Sequence, residues 1–172
     1  MKLSLDVVRD LFGHMEWADA ELWRSLNAHP AALQDEKLLT VVQHLHVVQR
    51  AFHLMWTGAA IDTQELYAKQ EPPAMIASAR GWYVTANDYL AAFPEAEMDK
   101  ILFMPWLAYF EQQMGRSLQS PTYAESFLQL PMHSGYHRGQ ANLRLRELGG
   151  EPQNVDYVAW IWFGRPPASW PE

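Results

Sequence analysis

The chain has 172 residues, 49% of them hydrophobic and 19% charged, with 11 Pro, 9 Gly and no Cys. That length suits one domain over residues 1–172 with a sizeable core, and the missing cysteines exclude disulfides, thiolate metal ligands and a cysteine nucleophile. The 13 Lys+Arg against 20 Asp+Glu leave a net charge of -7, which repels phosphate backbones and argues against nucleic acid as a partner.

The N-terminus, Met-Lys-Leu-Ser-Leu-Asp, runs straight into a charged helical pattern and lacks the apolar stretch of a signal peptide. No uncharged apolar run approaches the ~20 residues of a membrane span, so a cytoplasmic protein without a membrane partner is expected. A first helix is expected over residues 6–27. There Val8, Leu11, Phe12, Met15, Ala18, Leu22 and Leu26 recur at three- and four-residue spacing, and His29-Pro30 closes the pattern. A second is expected over 35–57, stopped by Gly58, and a third over 73–93, between Pro72-Pro73 and Pro94. Residues 99–120 are too short and proline-broken for a long helix. They read as an irregular or hairpin insertion with Gly115 near its turn. The fourth long helix is expected over 121–148, ended by Gly149-Gly150. Pro131 either kinks it or marks its start. The aromatic tail after Pro152 is expected to pack on the helices or on a second subunit. The pattern predicts an all-α protein, most simply a four-helix bundle.

Seven histidines carry the chemical signal: His14, His29, His44, His46, His53, His133 and His137. At ~100° per residue, His44 projects from the middle of an apolar face with Val41, Val48, Ala51 and Met55. His46 and His53 point to the opposite side, beside Gln49 and Arg50. Alone, His44 reads as a core histidine bonded to a carbonyl or a tyrosine. His133 and His137 stand at i and i+4, one above the other on one helix face, and can reach a common ion without backbone strain. A bundle lets His44 add a third nitrogen from across the core. Three neutral imidazoles suit Zn or Ni, and also Fe, and leave at least one coordination position open. Gln140 and Arg144 continue the same stripe as neighbours of the ligands or of a substrate, or simply as polar residues near the helix end. No H-E-x-x-H, G-x-S-x-G or phosphate-cradling glycine loop is present.

The run His133-Ser134-Gly135-Tyr136-His137-Arg138-Gly139-Gln140 resembles the H-x-x-x-H-R-G-Q signature of the DinB family, the DinB/YfiT-like metalloenzymes. Leu148-Gly149-Gly150-Glu151-Pro152, with Asp156-Tyr157, resembles that family's ending. The stretch from Gln43 to Phe52 is similar to its second helix, and Trp17-Ala18-Asp19 to its W-A-N. The resemblance implies a four-helix bundle of DinB/YfiT type, commonly a homodimer, with His44, His133 and His137 as metal ligands. Asp19 stands where the family has Asn, and Gln49 where it often has Asp or Glu. Some relatives are thiol-dependent S-transferases or isomerases. The expected activity is therefore transfer of a low-molecular-weight thiol, the cosubstrate, to a small electrophilic substrate. Trp17 and Tyr136 are expected as pocket walls or plain core. Metal-dependent hydrolysis and a non-catalytic, metal-binding dimeric module are the alternatives.

Overall fold

Helix ends are set by side chains the sequence supplies. Ser4 accepts a hydrogen bond from Val7 N and opens α1, Leu5–Asn27. Asp35 Oδ1 accepts from Leu38 N at 2.8 Å and opens α2, Glu36–Thr57, which Gly58 stops in the left-handed region at φ 68°. Asp62 caps the single turn α3, Thr63–Leu66. Two prolines sit at the start of α4, Pro72–Ala92, where missing N–H groups cost nothing. Then follow α5, Leu107–Met114, α6, Tyr123–Glu147, and α7, Tyr157–Trp162. Thr122 and Glu125 form a reciprocal capping box at the start of α6. Its end is a Schellman turn, in which Gly150 N donates to Leu145 O and Gly149 N to Arg146 O, both at 2.9 Å.

The computed structural model describes residues 3–172; Met1 and Lys2, which begin the N-terminal reading above, lie outside that range. Among the described residues there is no strand, and the seven helices make the chain all-α. The insertion differs from a hairpin. Only Ile101 and Thr122 form an isolated antiparallel bridge, and residues 107–114 wind into α5. Leu107 to Met114 contains no Gly or Pro, and Gly115, at φ 64°, caps this helix instead of turning a hairpin. Pro131 lies inside α6 and is not its start, because the capping box that begins nine residues earlier, at Thr122, nucleates the helix.

Shared clusters fix the helix directions. Leu5, Val8 and Phe12 of α1 pack with Phe52, Met55 and Trp56 of α2, with Trp82, Ala86 and Leu90 of α4, and with Phe127 and Leu130 of α6. Leu22, Trp23 and Leu26 pack with Leu38 and Val42, with Met75 and Ile76, and with Ala141 and Leu145. So α1 and α6 run one way, and α2 and α4 the other. Between the two clusters every long helix contributes a polar residue: Asp19, His46 and Gln49, Tyr83, and Ser134 and Arg138. The tail folds back on α1 and α4. Trp160 covers Gly13, where a Cβ would meet its Cη2 at 3.5 Å, and the Trp170 ring lies 5.8 Å from Tyr83. No helix among the described residues is long and apolar enough to cross a membrane.

Candidate metal centre

The two long helices α2 and α6 pack side by side. One turn of α6 carries His133 and His137, and His44 faces them from α2. The three offer nitrogens that all lie within 4.8 Å of one another. Ring centroids are 4.3 Å apart for His133–His137, 4.7 Å for His44–His137 and 5.3 Å for His44–His133. Among the described residues no carboxylate joins the group.

The donor chemistry fits a borderline divalent ion. His133 Nε2 is buried without a hydrogen-bond partner, which is costly unless a ligand takes its lone pair. Burial, reinforced by His137 and then His44, pulls the His133 pKa down to about 4. Burial, then His137, also lowers that of His44. Both rings are therefore neutral at pH 7, the form that coordinates metal. Gln140 Oε1 lies 2.7 Å from His137 Nδ1. An acceptor there keeps the proton on Nδ1 and leaves the Nε2 lone pair for an ion, as outer partners of ligand histidines do.

Other candidates fall elsewhere. The exposed Tyr136 ring stands edge-on to His137, with centroids 5.1 Å apart. Trp17 is buried with Ala18 and Trp160 as core. Arg144 grips Asp35 through Nη2–Oδ2 at 2.6 Å and Nε–Oδ1 at 3.1 Å, and Glu147 through Nη1 at 2.8 Å. It ties the end of α6 to the cap of α2 and so takes the polar, helix-end role.

The phase expected for α2 needs correction. Its buried stripe runs Leu38, Val42, Leu45, Gln49, Phe52 and Trp56. His44 sits on the flank of that stripe, half-buried against α6 rather than central. His46, expected outside, is inside and 5% exposed. Hydropathy misplaced the stripe because Gln49, at its centre, is polar yet fully bonded.

Sequence reasoning also missed the polar layer behind the centre. Trp23 Nε1 donates to His46 Nε2 at 2.9 Å, and His46 Nδ1 meets Gln49 Oε1 at 2.9 Å. Gln49 Nε2 lies 2.8 Å from Asp19 Oδ2, 3.1 Å from the Tyr83 hydroxyl and 3.2 Å from Ser134 Oγ. Tyr83 donates to Asp19 Oδ2 at 2.5 Å, and Arg138 Nη1 to Asp19 Oδ1 at 2.6 Å. The Arg138–Asp19 ion pair is almost wholly buried. Ser134 and Arg138 alternate with His133 and His137 along α6. The bonds that hold one face of this turn in the core thus turn its histidine face toward His44. The available signal was Asp19, an acid in the apolar stripe of α1.

Comparison with known protein-family models, with curated proteins and with solved structures gives no match.

Proposed function

We propose that the chain is a metal-dependent enzyme, a four-helix bundle of DinB type, that transfers a low-molecular-weight thiol to a small electrophile. One observation carries the reading: three imidazoles from two helices converge on one point, and one of their nitrogens is buried with nothing to bond. His44, His133 and His137 would hold the ion, with Zn or Ni suiting the donor set best and Fe next. Bound there, the ion supplies acidity to a thiol at its open position.

The protein's own residues do the rest. Gln140 holds the His137 tautomer. The Asp19–Arg138 pair and the Gln49–Ser134 contact hold α6 in rotation against α1 and α2. A cavity of about 750 Å³ opens beside His44, walled by Leu39, Thr40, Gln43, Val47 and Tyr67, and offers room for a thiol and its acceptor. In the transfer the thiol proton passes to solvent, a C–S bond forms, and the leaving group departs with its electron pair. Among the described residues no carboxylate joins the three imidazoles, Glu36 and Glu71 standing on the cavity wall instead, and a metal-acidified thiol needs no base to attack. A cytoplasmic homodimer acting on a small molecule completes the proposal.

The test is a thiol panel (cysteine, glutathione and their sugar-linked analogues) with monobromobimane as electrophile and metal occupancy measured in the same sample. Metal-dependent conjugation with at least one thiol is expected. No turnover with any of them at full occupancy contradicts the transferase.

A further inference from the structure

A second cavity, of about 380 Å³, lies between α2, α3 and α4, and none of the three clustered histidines lines it. Its wall includes Arg50, His53, Leu54, Leu66, Gly81 and Trp82. Among the described residues four buried side-chain nitrogens lack a hydrogen-bond partner. One is His133 Nε2, which the metal centre explains. The other three are Arg50 Nε, His53 Nδ1 and Trp82 Nε1, and all belong to this one wall. Orphaned buried groups are rare and costly, so three around a single cavity call for a common partner.

The chemistry of that partner follows from the donors. Arginine and the indole N–H only donate, and neutral histidine donates from Nδ1 in one tautomer. Arg50 Nη2 donates to Leu66 O at 2.7 Å, which pins the guanidinium against α3. Among the described residues Arg50 is in no ion pair, while the almost fully buried Arg138 is matched by Asp19. Burial lowers the Arg50 pKa, with Glu65 opposing the effect, so a bound anion offsets the cost of keeping this cation half-buried. The rim is acidic: Asp62 is spent on capping α3, and Glu65 stands close to Arg50. A flat single charge suits that setting better than a phosphate dianion, and a guanidinium matches a carboxylate in shape. Leu54 and Leu66 leave room for an apolar body, and the volume lies within the small-molecule range.

We propose that this cavity binds a small monocarboxylate, whose carboxylate is taken by Arg50, Trp82 and His53 and whose apolar body rests on Leu54 and Leu66. The three nitrogens are screened from bulk solvent. The anion reaches them once the half-buried Arg50 side chain exchanges its bond to Leu66 O for the carboxylate and turns, with His53, toward the cavity, a change between ordinary rotamers. The site is independent of the metal centre and of the transfer proposed there.

Benzoate is the probe, with benzamide as its uncharged counterpart, added to the full-length protein. The Trp82 indole N–H is followed by NMR and assigned with Trp82→Phe. Benzoate is expected to shift that resonance saturably and to bind about tenfold or more tighter than benzamide. Arg50→Gln should weaken binding by a similar factor. Gly81→Met fills the rim, and a Cβ there meets no heavy atom within 4 Å, so this variant should fold normally and lose the site. His133→Ala should leave benzoate binding unchanged. An indole resonance that benzoate does not move means the cavity holds only water and overturns the proposal. Equal binding of benzamide overturns the carboxylate assignment. Full binding by Gly81→Met overturns the location.

Discussion

Replacing His44, His133 or His137 by Ala removes one of three converging nitrogens. Each variant is expected to lose stoichiometric zinc when measured by elemental analysis after desalting; a variant that keeps one ion per chain would remove that residue from the centre. Gln140 acts through His137. Gln140→Ala should weaken zinc by about 10–100-fold, as loss of such outer partners does, while the fold stays intact. His46 marks the contrast. It sits two residues from His44 but bonds Trp23 and Gln49 inside the core. His46→Ala should keep its zinc and lose stability by about 1–3 kcal/mol for each partner it orphans. Urea unfolding checks the second half, and zinc loss at unchanged stability would contradict both.

Between elements, the Asp19–Arg138 pair joins α1 to α6. Arg138→Met leaves a carboxylate buried without its cation and should cost about 3–5 kcal/mol. Adding Asp19→Asn removes the stranded charge, so the double variant should recover part of that loss in urea. Additive losses would show that the two side chains are not coupled. The four long helices were legible in the sequence because their ends carry strong local signals: Asp35, the Pro72-Pro73 pair, Gly58 and Gly149. The short α5 was not, since its eight residues, Leu107–Met114, give too little periodicity to separate helix from strand. The i, i+4 histidine pair was legible as one face. The rotation of α2 was not, because a stripe read from apolar residues passes over Gln49 and His46, whose bonds make them core. Arg138 was hidden for the same reason: its cost of burial is met by Asp19, far away in sequence.

At the scale of the molecule, burial is the leading cause that lowers the pKa of His14, His44, His46, His53 and His133 below 6.5. The unfolded chain therefore binds more protons than the folded one as pH falls below 6.5, and stability drops with it. For His133 the loss levels off only below about pH 4. Metal-free protein should show a Tm that falls steadily on acidification through this window; a flat or rising Tm would mean these rings are already solvated. The polar layer belongs to this scale too, since it links all four long helices between two apolar clusters. It sets the one arrangement in which α2 and α6 present three imidazoles to each other.

The most direct measurement is a crystal structure of the zinc-loaded protein with anomalous differences collected on both sides of the zinc edge. One peak per chain is expected, enclosed by the rings of His44, His133 and His137, with density for a further small ligand on its open side. A peak at other residues, or none at this triad in crystals that contain zinc, would contradict it.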